Sequence, residues 1–275
     1  HIKLIISISL SMKILKLAFL ICAIISLLNP QQYVNAESSR MNDRDPVEMV
    51  KIPAGEFFMG SKQEEGRPDE QPQRKIYLDT YEIDSHEVSN KRYLNFIHKT
   101  GRKEPPNPYS DSLLSQSSGV GNLPIVQVTW YDAVDYCRWA GKQLPTEAQW
   151  EKAARGDTGL VYPWGSESPS NKQVNFEKNW EGTLTLWPVE NNNGTSSTFG
   201  VKGMAGNVRE WVQDWYAPDY FQTAPQKNPR GPGIGILKVI KGGSWHSFKA
   251  DVRAASRGKG GFALKTDGIG FRCVR

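Results

Sequence analysis

The sequence has 275 residues, with 34 basic and 29 acidic side chains and 38% hydrophobic residues. Its 25 glycines, 17 prolines and nine tryptophans describe a globular protein rich in turns, of one large domain or two small ones. Apart from one stretch near the start, no apolar run approaches the ~20 residues of a membrane span.

That stretch comes first. Met12 is followed by Lys13 and a run from Ile14 to Leu28 with one further lysine, and Val34-Asn35-Ala36 supplies small residues. A charged start, an apolar middle of moderate length and an A-x-A-like end predict a secretory signal ending at residue 36, with residues 1–11 upstream of the natural start. Its removal takes three lysines and no acids, leaving 31 basic against 29 acidic residues. A net charge of +2 carries no nucleic-acid footprint. Ile21 is too large to precede a lipidated Cys22, so the expectation is an exported protein with no membrane span after signal removal, periplasmic or extracellular.

Residues 37–48 are polar and predict a flexible arm. Met49 to Ile52 reads as a strand, Pro53-Ala54-Gly55-Glu56 as a turn, and Phe57-Phe58-Met59 as a second strand. Residues 60–75 form a charged loop, and Ile76 to Ile83 alternates as one strand. Ser89 caps a helix running to about Lys99, with Tyr93, Phe96 and Ile97 on its inner face. Residues 101–123, rich in proline, glycine and serine, predict a long loop. Thr129 with Asp132 forms a capping box for a helix that Gly141 stops, facing inward through Ala133, Tyr136, Cys137 and Ala140. Thr146 with Gln149 opens another, with Trp150, Ala153 and Ala154 as its apolar stripe and Gly156 as its end. From 157 onward periodicity almost vanishes apart from short runs such as Leu237 to Ile240. All nine tryptophans lie between 130 and 245, so this half is expected to be loop-dominated around an aromatic core.

With Cys22 removed, Cys137 and Cys273 remain. An even pair in an exported chain favours a disulfide over two buried thiols. No H-E-x-x-H, G-x-S-x-G, Walker loop or C-x-x-C occurs. His86, in Asp84-Ser85-His86-Glu87, reads as a strand end before a helix cap rather than a metal ligand. Gly231, Gly233 and Gly235, with Pro232 between them and no helix after, read as a turn. Asn193-Gly194-Thr195 fits a glycosylation sequon and an Asn-Gly turn equally.

Seven blocks in order, IPAGEFFMGS (52–61), PIVQVTWYDAVDYCRWAGKQLPTEAQWEKAARG (124–156), YPWG (162–165), GVKGMAGNVREWVQDWY (200–216), KGGSW (241–245), RAASR (253–257) and GFRC (270–273), resemble the formylglycine-generating enzyme family, also called sulfatase-modifying-factor domains. The resemblance covers nearly all of 49–275. It implies one domain there, an α+β, elaborated and duplicated C-type-lectin-like fold with little regular secondary structure. It also implies that Cys137 and Cys273 pair. One calcium site would use Asn175, Phe176, Glu181 and Thr183, oxygen donors of the kind calcium takes. A second would use the carbonyls of Gly206 and Val208 with the carboxylate of Glu210; its usual first ligand, Asn or Asp, is Gly203 here.

The enzymes of this family oxidise a substrate cysteine with two cysteines of their own and copper. The first follows GGS-x-x, where this chain has Ser247, and no cysteine occurs in 248–252. A serine hydroxyl does not replace a thiolate toward Cu(I), so copper is not expected. What remains is the cleft of the GGS loop, with Trp245, His246, Ser247, Arg253 and Arg257 in or near it; for the two arginines, hydrogen bonding to loop carbonyls is an equal alternative. The expectation is a non-catalytic, exported recognition or assembly module for another exported protein, a peptide or a small molecule. The alternative is an oxidoreductase or modifying enzyme with cysteine-independent cleft chemistry, as in family members associated with pyoverdine maturation.

Overall fold

The computed structural model describes residues 44–106, 108, 119–191 and 195–275. The expected signal segment, most of the arm and the Asn-Gly pair of the sequon lie outside the described residues. Every element below belongs to one unit, Pro46–Arg275.

Two short antiparallel ladders begin the domain. β1 (Met49–Ile52) pairs with β4 (Tyr81–Asp84), and β2 (Gly55–Met59) with β3 (Arg74–Leu78). The run from Ile76 to Ile83, read as one strand, is therefore two. Alternation continues through it, but the polar corner is held from outside. Thr80 Oγ1 accepts the Ala54 N–H at 3.1 Å and Asn228 Oδ1 accepts the Asp79 N–H at 3.0 Å. The buried sides of both ladders (Ile52, Phe57, Met59, Ile76, Leu78, Tyr81 and Ile83) join Trp150, Ala153 and Ala154 in the larger apolar cluster.

The three predicted helices form where their caps place them. α1 (Asn90–Thr100) starts at Ser89 and ends at Gly101, α2 (Trp130–Trp139) has the Thr129–Asp132 box, and α3 (Glu147–Arg155) has the Thr146–Gln149 box and ends at Gly156. Tyr93, Phe96 and Ile97 of α1 meet Ala133, Tyr136, Cys137 and Ala140 in a second cluster with Trp211 and Phe271. Cys137 on α2 is bonded to Cys273, with Cα atoms 5.7 Å apart.

The C-terminal half carries more order than its sequence suggests. A four-stranded sheet runs in the order β7 (Gly258–Gly261), β6 (Leu237–Lys241), β5 (Arg209–Trp215), β8 (Ile269–Gly270), antiparallel except for the β5–β8 edge; a single turn, α4, spans Tyr220–Thr223. β5 escapes a pattern-based reading because both of its acids, Glu210 and Asp214, are buried together with Trp211 and Val212. Helices beside mainly antiparallel ladders make the domain α+β. Among the described residues no helix is long and apolar enough to cross a membrane.

Candidate functional site

The loop Gly242–Ser247 leaves the end of β6 through two residues of left-handed backbone, Gly242 (φ 91°) and Gly243 (φ 69°). A β-carbon at Gly243 would stand 2.7 Å from Val252 Cγ1, so only glycine makes this turn. The turn drives Ser247 inward, to 1% exposure. Its Oγ accepts the Ser244 N–H at 2.9 Å and the Arg209 guanidinium at 3.0 and 3.3 Å, and lies 3.1 Å from Ser244 Oγ. Ser244 Oγ also lies 3.2 Å from His246 Nδ1.

Outside the loop lies an open cavity of about 610 Å3 whose walls include Lys178, Trp180, Trp245, His246, Phe248 and Asp267. Trp180 and Trp245 are tilted against each other at 5.4 Å between ring centroids, and Trp245 Nε1 donates to the Asp267 carbonyl at 3.2 Å. The opposite wall is clipped to the loop by backbone: Glu177 N–H donates to Ser247 O at 3.0 Å, and Lys178 N–H to Trp245 O at 2.7 Å. Trp245 and His246 line this cavity, whereas Lys178, Trp180 and Asp267 were not singled out from sequence. The density of tryptophans pointed to this half of the chain but not to Trp180.

Arg253 and Arg257 do not line that cavity. Arg253 forks onto both Glu70 oxygens at 2.8 Å. Arg257 binds the Glu147 carboxylate at 2.8 and 3.1 Å and the carbonyls of Asp69 and Ala217 at 2.7 and 3.0 Å. A buried guanidinium needs such partners, and these are internal.

The residues that the resemblance assigns to the first calcium site include one buried acceptor that nothing satisfies. Asn175 Nδ2 donates to Thr185 O at 2.7 Å and Asn207 Oδ1 at 3.1 Å, while its Oδ1 has no partner. Phe176 is buried beside it, and the side chains of Glu181 and Thr183 are exposed. An orphaned buried oxygen fits a cation. The second set does not fit one. The Glu210 carboxylate accepts Trp150 Nε1 at 2.9 Å and Arg272 Nε and Nη2 at 2.7 and 2.8 Å. Gly203 contributes no side chain, and a β-carbon there would stand 2.4 Å from Glu87 Oε2, whose carboxylate fills the space. The positive charge serving Glu210 is therefore Arg272. Glu87 is itself fully buried. Desolvation, opposed by Arg272 and reinforced by Glu210, pushes its carboxyl up to about 7. His86 Nδ1 donates to the Glu87 carbonyl at 2.9 Å, and no group of three His, Cys, Asp or Glu side chains among the described residues is placed to hold a metal.

Residues 35–275 match the family model described as the sulfatase-modifying factor enzyme 1-like domain. The chain is similar to the serine/threonine-protein kinase pkn1 of Chlamydia pneumoniae, with 36% identity over 89% of this chain, and spans only 40% of that relative's length. It is similar to the formylglycine-generating enzyme of Streptomyces coelicolor, 32% identical over 82% of this chain and 88% of the relative. Among solved structures it resembles PvdO from Pseudomonas aeruginosa, with a TM-score of 0.71 and 27% identity over 83% of this chain and 94% of that one.

Proposed function

The chain belongs to the family of sulfatase-modifying factor enzyme 1-like domains, and from that premise we propose that it is an exported, non-catalytic recognition or assembly module. On this reading its duplicated, C-type-lectin-like domain holds another exported protein, a peptide or a small molecule in the cleft of Trp180, Trp245 and His246. One observation carries the reading. Ser247, where the resemblance puts the first copper-binding cysteine, is a buried hydroxyl held by a guanidinium, and the two cysteines of the described chain are joined to each other. An arginine over that position repels a metal cation where the oxidase chemistry requires one bound. Trp180, half-buried, and Trp245, 8% exposed, line that open cavity, and tryptophan is among the side chains most used to anchor a partner. The kinase name of the Chlamydia relative belongs to a protein more than twice as long, and nothing in the cleft favours carrying it over.

The second reading, modification chemistry without cysteine, is favoured by the 3.2 Å approach of the buried Ser244 Oγ to Nδ1 of His246, whose ring lines the cleft. A serine hydroxyl against an imidazole is a chemical pairing rather than a docking surface.

The test compares the intact protein with Trp180→Ala, each purified from its source and also mixed with a sulfatase-type cysteine peptide and copper. A polypeptide or small molecule retained by the intact protein and lost in the variant, with no turnover of the peptide, is the expected result. Copper-dependent conversion of the peptide cysteine by the intact protein overturns the recognition reading.

A further inference from the structure

Behind the GGSW loop lies a second cavity, far smaller at about 40 Å3, lined by Arg67, Arg209, Gly242, Gly243, Asp251 and Ser256 among others. Arg209 begins β5 and points its guanidinium at Ser247 Oγ, which takes Nε and Nη2. Among the described residues it has no carboxylate within ion-pair distance, unlike Arg253, Arg257 and Arg272. Arg67, half exposed at 47%, reaches the same cavity and is paired with Asp251, whose other oxygen accepts the Phe248 N–H at 3.3 Å. The Ser256 side chain, on a residue 4% exposed, has no hydrogen-bond partner among the described residues.

The cavity is therefore walled by two guanidinia against one carboxylate, and that carboxylate is already engaged. Burial holds the Arg209 guanidinium below its usual range, with Arg67 adding to the effect and Asp251 opposing it. A guanidinium carries five N–H donors in a planar fork, and one serine oxygen leaves part of that fork unused. The hydroxyl of Ser256 adds a donor, and the two glycines put no side chain into the space. Donors and net positive charge around a volume too small for a ring select a small oxyanion over an apolar or cationic group.

We propose that Arg209, Arg67 and Ser256 form a binding site for one small oxyanion, a carboxylate or a sulfate or phosphate group. The site goes beyond the recognition reading and stands without it, because it rests on the chain's own unmatched charge and not on a partner in the cleft.

Titration calorimetry of the full chain tests the proposal, with sodium acetate, sodium sulfate and inorganic phosphate as probes and chloride holding ionic strength constant. Saturable binding of at least one ion is expected. Preference for acetate identifies a planar carboxylate, such as an acidic side chain or chain terminus, as the natural group; preference for sulfate or phosphate identifies a tetrahedral one. Arg67→Gln, at a half-exposed position where folding is not at stake, and Arg209→Gln should each weaken binding about tenfold or more, the loss expected for a charge-assisted contact. Arg209→Lys should keep part of it. Absence of saturable binding by all three ions overturns the site, as does undiminished affinity in the folded glutamine variants.

Discussion

Asp214 is 2% exposed, and its Oδ2 accepts the Glu147 N–H at 2.9 Å. Burial first, and then the charge of Glu147, push its carboxyl up to about 8. An ordinary aspartate releases its proton near 4, so between about 4 and about 8 the folded chain holds a proton that the unfolded chain has lost. This contribution to stability is full below about 4 and disappears as pH rises through about 8. Asp214→Asn, which keeps an acceptor for Glu147 and cannot ionise, should flatten the fall of melting temperature between pH 5 and pH 8; superimposable pH profiles for the two proteins would refute it. Asn175 supports a different measurement. A cation satisfying its orphaned Oδ1 binds only the folded chain and stabilises it by mass action. Calcium should therefore raise the melting temperature of chelator-treated protein, and Asn175→Ala should remove most of the rise while Glu210→Gln leaves the calcium increment intact. At this scale Ser247 was legible because a motif fixes its place in the chain. Arg209 and Trp180 were not, since the first matters through a loop 38 residues away and the second through a ring contact across 65.

Elements whose signals are local came out of the sequence nearly intact, and α3 shows both the reach and the limit of such signals. Its Thr146–Gln149 box is complete: Gln149 N–H donates to Thr146 Oγ1 at 3.1 Å and Thr146 N–H to Gln149 Oε1 at 2.9 Å. Thr146→Ala removes one half of it at a site 6% exposed and should lower unfolding free energy by about 1 kcal/mol. Urea melts should show a lower midpoint with an unchanged slope; an unshifted midpoint would mean that tertiary packing alone sets this end. The apolar stripe of the same helix was equally legible. Its opposite face was not, because Glu147, Glu151, Lys152 and Arg155, polar by composition, are all buried. Glu151 meets Arg155 and Lys241 at 2.9 and 3.1 Å, and Lys152 Nζ donates to the carbonyls of Pro53 and Gly55. β5 was missed for the same reason. Its carboxylates are buried against Arg272 and the Glu147 N–H, partners far away in sequence, and no window along the chain contains them.

For the molecule as a whole, the bond between Cys137 and Cys273 spans 136 residues, nearly all of the chain from α2 onward. Closing so long a loop restricts the unfolded chain more than the folded one, a contribution of about 2–5 kcal/mol in the chain-entropy picture. The C-terminal segment is not held by that bond alone. Val274 and Gln143 exchange hydrogen bonds at 2.7 and 2.9 Å, Arg275 and Glu82 exchange two more at 2.8 and 2.9 Å, and the Arg275 guanidinium binds the Glu82 carboxylate at 2.7 Å. Phe271, fully buried, packs edge-on against both Tyr93 and Tyr136. A double variant Cys137→Ala, Cys273→Ala should therefore remain folded at 25 °C with the far-ultraviolet dichroism of the parent, since the strip keeps its backbone and apolar partners. Its stability should fall by about 2–5 kcal/mol, and its urea slope should steepen because the uncrosslinked unfolded chain exposes more surface. Cys137 and Cys273 of the unreduced parent should resist alkylation in denaturant. Parent and variant sharing one midpoint and one slope, or ready alkylation of both cysteines, would show that backbone pairing and the aromatic cluster secure the end of the chain without the covalent tie.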